Sequence, residues 1–178
     1  HPNVGGIYLL GNVGLNMPVS RILLPSLTYL HLGENAMTID IPFDKTQFPS
    51  LLFLYLNGND LIQFPDESLK DGLIQLGVAR CNLKSFPDYL SGFTGLRYLD
   101  ARDNNITAVN DDLKLLIKNN QIESYFSGNG VCKIDKSLDC APLCSKSCWS
   151  RKVSSDGICD ETCAAHTCKY DGGDCPSV

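Results

Sequence analysis

A repeat constrains this chain more than any other feature. Four segments superpose on the pattern L-x-x-L-x-L-x-x-N-x-L: Leu27–Met37, Leu51–Leu61, Leu73–Leu83 and Leu96–Ile106. A fainter copy through Val4, Ile7, Leu9 and Asn12 precedes the first in the same phase. The second halves of two repeats also agree, with Phe64-Pro65-Asp66 and Phe86-Pro87-Asp88 in the same place. A nearly fixed period in the range of roughly 20–50 residues marks a stacked array, in which one unit has no core and must bury its apolar edges against its neighbours.

These copies resemble the leucine-rich-repeat family over residues 4 to about 131. The resemblance implies a right-handed coil of about five repeats, the first partial, each adding a short strand to a parallel sheet on the concave face. The ninth position reads Asn12, Asn35, Asn59, Cys81 and Asn104. An amide there turns the chain inward and bonds to backbone groups of adjacent coils. Cys81 takes that place as a small buried side chain with a weak donor, not as a reactive thiol, which needs an exposed, electropositive setting.

The outward strand positions are where such a solenoid carries function. They include Tyr8, Tyr29, His31, Phe53, Tyr55, Tyr98 and Asp100. Tyr and Phe give large contact area at small entropic cost, which suits a binding surface. The same rings as cross-strand pairs would also stabilise the sheet. Asn105-Ile106-Thr107 is an N-glycosylation sequon, and Asn105 is expected to face solvent because Asn104 takes the inward position.

Cysteine usage changes abruptly near residue 131. Cys81 stands alone before it, whereas eight cysteines lie between 132 and 175. An even cluster in so short a tail is a disulfide framework or a metal site. The stretch from Ser124 to Cys132 reads as a degraded last repeat and resembles the C-terminal caps of extracellular leucine-rich-repeat proteins, with Cys132–Cys140 as the natural pair.

The remaining tail runs C-SKS-C-WSRKVSSDGI-C-DET-C-AAHT-C-KYDGGD-C from Cys144 to Cys175. Six cysteines allow 15 connectivities on spacing alone. The D-G-G-D-C ending, the C-x3-C-x4-C before it, and Asp156 shortly before Cys159 resemble a Notch-type repeat, the LNR module. That resemblance implies Cys144–Cys168, Cys148–Cys163 and Cys159–Cys175. It also implies one structural Ca²⁺ held by Asp156, Asp171 and Asp174, hard oxygen ligands for a hard cation. Zinc held by thiolates, with His166, is the rival, but zinc sites favour short C-x2-C pairs, and an acidic turn lies inside the last spacing here. Trp149 is expected to pack on a disulfide.

The expected fold class is therefore an α/β-type solenoid followed by a small disulfide-rich calcium module with little regular secondary structure. The domains are expected at 1–131 (solenoid), 132–143 (disulfide cap and linker) and 144–178 (Notch-type module). Net charge is −5 and the pI near 5.0, so no electrostatic case exists for nucleic acid or an anionic membrane. The longest apolar run is only Leu51–Leu56, against the roughly 20 residues that span a bilayer. The chain starts at His1 with no Met and no signal peptide, which leads us to expect a mature or excised piece of a longer, secreted or cell-surface polypeptide. No nucleophile–base–orienter constellation and no phosphate-cradling loop is present, so the expectation is a non-enzymatic extracellular module that recognises a protein or glycan. The alternative is a structural component of an extracellular assembly or matrix, its modules acting as spacers and contacts for lateral self-assembly.

Overall fold

The computed structural model of the chain describes residues 5–12, 23–40, 43–120 and 122–140. By contact density the chain divides into two compact units, His1–Cys140 and Ala141–Val178. All described residues belong to the first.

That unit is a stack of short coils. Six strands form one parallel sheet in the order β1 (Gly6–Tyr8), β2 (Tyr29–His31), β4 (Phe53–Tyr55), β6 (Gln75–Gly77), β7 (Tyr98–Asp100) and β8 (Glu123–Tyr125). A second, two-stranded parallel sheet pairs β3 (Thr38–Ile39) with β5 (Asp60–Leu61). Every strand of the large sheet pairs with the strand one coil away, so each coil contributes one strand, a solenoid-like α/β arrangement. Ile7, Leu30, Leu54, Leu76 and Leu99 stand in one register row; the four leucines are almost fully buried. The sixth strand comes from the segment whose sequence reads as a degraded repeat, with Ser124 in the row where its neighbours have Leu.

The inward asparagines hold the coils together. The Asn59 side chain donates to the carbonyls of Leu56 in its own coil and Leu32 in the coil before, each at 2.8 Å, and accepts from the Met37 N–H at 2.9 Å. Asn104 serves the Val78, Ala101 and Arg102 carbonyls and accepts from the Cys81 and Leu83 N–H groups. Asn129 repeats the pattern for the last coil, binding the Ala101 and Phe126 carbonyls and the Ile106 N–H. At Cys81 the thiol reaches the Leu56 carbonyl, 3.3 Å away, while the Leu61 N–H bonds to the Cys81 carbonyl instead of to a side-chain amide. Burial pushes this thiol up to about 11, against the pull of the Asn59 and Gly58 amides, so it stays protonated and unreactive.

The residue before each ladder position turns the chain inward with a left-handed backbone. Gly11, Glu34, Gly58, Arg80, Asp103 and Gly128 have φ of 71°, 57°, 71°, 54°, 53° and 80°. The three non-glycine members each carry a steric cost of about 1–2 kcal/mol, offset by backbone bonds between coils at the same level, such as Glu34 N–H to Asn57 O and Arg80 N–H to Arg102 O.

On the far side of each coil, 3₁₀ turns at Glu67–Leu69 and Asp88–Gly92 follow the two Phe-Pro-Asp segments, and Asp66 caps the first by accepting from the Ser68 N–H. Phe64 meets Phe86 of the next coil edge to face, and Phe86 in turn meets Phe126 from the closing segment after β8, with centroids 5.9 and 6.2 Å apart. The coil between β7 and β8 holds the α-helix among the described residues, α1 (Asp111–Asn119). Asn110 caps it through the Leu113 N–H, and Leu113 and Leu116 face the core. Residues 126–140 close the end of the stack. The Phe126 N–H bonds to the Asp139 carbonyl, Val131 and Leu138 are buried, and a disulfide joins Cys132 to Cys140. Lys114 of α1 pairs with Asp135 of this closing segment at 3.0 Å.

Replacing Asn104 by Ala leaves the Val78 carbonyl and the Cys81 and Leu83 N–H groups without their partner in the interior, while the Ala101 carbonyl keeps Asn129 and the Arg102 carbonyl keeps the Arg80 N–H. Each unsatisfied buried group costs about 1–3 kcal/mol, and partial relaxation leaves an expected loss of about 3–5 kcal/mol. Urea denaturation of Asn104→Ala measures it; a loss below about 1 kcal/mol would contradict the bridging role.

Candidate functional site

Strand alternation sends the first and third residues of each short strand to the outer face of the sheet, opposite the leucine row. The resulting surface is a run of touching rings. Tyr8, His31 and Tyr55 follow one another in the third position, with centroids 4.6 and 5.2 Å apart. Tyr29 and Phe53 are neighbours in the first position at 6.1 Å, and Tyr29 also meets Tyr55 at 5.7 Å. The run continues from Tyr55 to Tyr98 and from Tyr98 to Tyr125, at 6.4 and 6.0 Å. Pairs at these separations contribute about 0.5–1.5 kcal/mol beyond their buried area, so the rings stiffen the sheet as well as coating it.

The link from Tyr55 to Tyr98 depends on an absent side chain. Gly77 faces Tyr55 across the β4–β6 pair, and a Cβ there would lie 2.7 Å from the Tyr55 ring and 2.9 Å from the Asn57 side-chain oxygen. Without it, the Tyr55 ring lies towards the next strand and its hydroxyl donates to Gln75 Oε1. Asn57 is held in turn by the Ala79 N–H at 2.8 Å.

The rings of His31, Tyr29, Tyr55 and Tyr98 are neutral near pH 7. Burial lowers the His31 pKa, a shift the Glu34 carboxylate only partly opposes, and His31 Nδ1 accepts from the Gly33 N–H. Burial raises the phenols of Tyr29, Tyr55 and Tyr98; Tyr8 adds to the rise at Tyr29, and Asp100 adds to it at Tyr98. The surface therefore presents ring faces and hydroxyls rather than charge. Tyr8 is 61% exposed, while Tyr29, His31, Phe53, Tyr55 and Tyr98 are half-buried.

Asp100 differs from the expectation. It stands in the strand position expected to meet a partner, but it is 2% exposed. Arg102, on the same chain segment, folds its guanidinium back and donates from Nε and one terminal nitrogen to the two carboxylate oxygens, at 2.8 and 2.7 Å. The Arg102 guanidinium also lies 5.7 Å from the centre of the Tyr125 ring. Asp100 is thus spent inside the protein on a bidentate ion pair. Tyr125 and Arg102, both buried beside this face, were not singled out by the repeat pattern. Tyr125 ends β8, a strand reading Glu-Ser-Tyr, where no leucine marks the register.

Asn105 is exposed, as its place beside Asn104 implies, and its amide donates to Asn82 Oδ1 at 3.0 Å. Glu34 and Arg80 form an exposed ion pair that passes over Gly58, a contact worth about 0–1 kcal/mol. An open groove of about 440 Å³ on the β5 side is lined by Ile62, Phe64, Asn82 and Lys84 among others. Among the described residues no group of three or more His, Cys, Asp or Glu side chains could hold a metal, and no helix is long and apolar enough to cross a membrane. Asp156, Asp171, Asp174, His166, Trp149 and the cysteines from Cys144 to Cys175 lie outside the described residues.

Comparison with known proteins gives two findings. Residues 139–176 match the family described as the Notch LNR domain. Residues of the chain also align, at 26% identity over 134 positions, with Arabidopsis thaliana sequences named Disease resistance protein RPS6. That alignment covers 74% of this chain and 11% of those proteins, so the chain spans only a small part of the length of the curated relatives it matches.

Gly77→Ala tests the geometry of the ring face. The added methyl collides with Tyr55 and Asn57, and overpacking of this kind costs about 1–3 kcal/mol. The expected result is a loss of stability in that range, with the Tyr55 ring displaced from Tyr98 in aromatic NOE spectra. An unmoved Tyr55 in a fully stable variant would refute this account.

Proposed function

We propose that this chain is an extracellular binding module: a right-handed leucine-rich coil whose concave sheet face recognises a protein or glycan, joined to a Notch-type disulfide module that Ca²⁺ stabilises. The observation that carries the reading is the continuous face of rings from Tyr8 through Tyr29, His31, Phe53 and Tyr55 to Tyr98. Rigid rings lose little entropy on binding, and their hydroxyls supply directional bonds, which suits a partner with mixed apolar and polar surface. The Notch LNR match over residues 139–176 supports an extracellular setting and an interaction role for the tail. In that setting Asn105 is the carbohydrate acceptor, and the domains run 1–131, 132–143 and 144–178.

In the tail, Asp156, Asp171 and Asp174 would ligate the ion, with Cys144–Cys168, Cys148–Cys163 and Cys159–Cys175 as the framework. Three carboxylates beside Gly172 and Gly173 form a donor set of the right hardness, and a short, core-poor segment needs such staples. The ion's contribution is structural: it neutralises carboxylates that would otherwise repel.

Two measurements test the proposal. The triple variant Tyr29→Ser, Phe53→Ser, Tyr55→Ser, screened against immobilised extracellular glycans and ectodomains, is expected to lose at least about a hundredfold in affinity for whatever the unaltered chain retains, since buried aromatic anchors carry about 2 kcal/mol or more each. Its circular dichroism should remain that of the folded chain. Full affinity in the triple variant would move recognition off this face.

Chelation with EDTA, followed by hydrogen exchange, is expected to accelerate exchange in residues 144–175 and leave 5–140 unchanged, because an ion stabilises only the folded state it binds. Asp174→Ala should reproduce the chelator's effect. Equal loosening of both halves, or none in the tail, would count against calcium there.

A further inference from the structure

The groove on the β5 side shares no lining residue with the ring face. Buried Leu61 and Leu83, half-buried Phe64 and the 63% exposed Ile62 give it apolar surface. Asp60, Asn82, Lys84 and Ser85 give it polar surface, with one carboxylate against one ammonium and no net charge. Its volume of about 440 Å³ lies in the range of roughly 300–1,000 Å³ that holds small molecules. It is open, however, so a free ligand would leave much of its surface in water.

Asn105 is tied to this lining twice. Its backbone N–H donates to the Leu83 carbonyl at 2.8 Å, and its side-chain amide donates to Asn82 Oδ1 at 3.0 Å. Asn82 Nδ2 in turn lies 3.5 Å from Asp60 Oδ1. Asp60, Asn82 and Asn105 thus form an exposed polar row across successive coils, and the groove opens beside it. Thr107, two residues beyond Asn105, is exposed as well and completes the Asn-Ile-Thr acceptor sequence.

We propose that this groove seats the first N-acetylglucosamine of a glycan carried on Asn105, an inference that rests on the reading of Asn105 as a carbohydrate acceptor. In the modification, Asn105 Nδ2 loses one proton and bonds C1 of the sugar of a lipid-pyrophosphate-linked oligosaccharide, and the lipid pyrophosphate leaves. One N–H stays on Nδ2, so the bond to Asn82 Oδ1 can persist and hold the sugar at the groove. Two observations select this occupant. The acceptor nitrogen is already bonded to a lining residue, and a tether of one bond raises the local concentration enough for an open groove to be filled. The lining also matches an N-acetylhexosamine, whose acetamido methyl and C–H face suit Ile62 and Phe64 while its hydroxyls and amide suit Asp60, Asn82 and Lys84. A neutral lining offers no such match to a phosphate or a charged peptide. Seated there, the sugar covers Ile62 and closes this side of the coil to lateral contact with a second copy, leaving the ring face open to a partner.

The test uses the full chain secreted from animal cells that make only oligomannose glycans, trimmed enzymatically to a single N-acetylglucosamine. Peptide mapping by mass spectrometry is expected to find that sugar on Asn105. An unmodified Asn105 would overturn both the acceptor reading and this inference. With the sugar present, NOE spectra are expected to join its acetamido methyl to the Ile62 and Leu83 methyls. A sugar with no contact to any lining residue would overturn the groove assignment while leaving Asn105 as an acceptor. A thermodynamic cycle gives an independent readout. Ile62→Ser is expected to lower the Tm by at least about 2 °C more in the single-sugar form than in the Thr107→Ala background, which carries no sugar. Equal losses in the two would overturn the inference, as would dimerisation of the single-sugar form that Ile62→Ser abolishes, which would assign the groove to a second copy. The outcome for the ring face is separate, since Tyr29, Phe53 and Tyr55 do not line the groove.

Discussion

An asparagine amide offers two N–H donors and an acceptor oxygen on one rigid plane, and each turn of this coil has orphan groups to match. Where the chain leaves its strand and bends inward, carbonyls from two successive coils and an N–H of the earlier one end up buried with no backbone partner. Asn35, Asn59, Asn104 and Asn129 supply those partners from a single side chain each. A buried polar group without a partner costs as much as several buried methylenes yield. The leucine rows therefore pack in register because the amides allow the backbone to turn there, and the left-handed residue before each amide points the chain into the turn.

The ladder also shows how much substitution the constraint tolerates. Cys81 replaces one amide by a thiol that lies near carbonyls of both coils, Leu56 O at 3.3 Å and Ala79 O at 3.5 Å, but has one proton to share between them and supplies no amide oxygen for the Leu61 N–H. The structure answers locally: the thiol reaches the Leu56 carbonyl, and the Leu61 N–H bonds to the Cys81 carbonyl. The coil is thus tied to the one before it both by the thiol and by a backbone bond at the end of β5. The sulfur is inert for the same reason that it fits, since a site dry enough to accept it also raises its pKa.

With the interior occupied by leucine and asparagine, the outer face of the sheet is free of structural duty except through its rings. Their contacts run along the stack from one coil to the next, so Tyr8 is joined by touching aromatics to Tyr98 and Tyr125. A hydroxyl-bearing ladder gives way at β7 to the buried Asp100–Arg102 pair. Such a pair contributes little net stability, because desolvation offsets attraction, but it fixes the guanidinium over the Tyr125 ring and so sets where the aromatic surface ends.

Much of this was legible in the sequence. The regular period, the L-x-L doublets and the asparagine column determine a stack of parallel strands in register, the inward leucines, the outward aromatics and the structural place of Cys81. Each follows from alternation along a strand and from the need of every unit for a neighbour, both local and periodic rules. The tertiary structure decided what is not periodic. Asp100 reads as an outward carboxylate, yet it is consumed by Arg102 and shielded beside a tyrosine from the next coil. Tyr55 reaches Tyr98 because Gly77 leaves a space. Asn129 completes the ladder from a coil whose strand, Glu-Ser-Tyr, carries none of the repeat's leucines. These outcomes depend on contacts between side chains on different coils, where size, charge and a missing Cβ are weighed against one another in space, and a one-dimensional pattern does not record that balance.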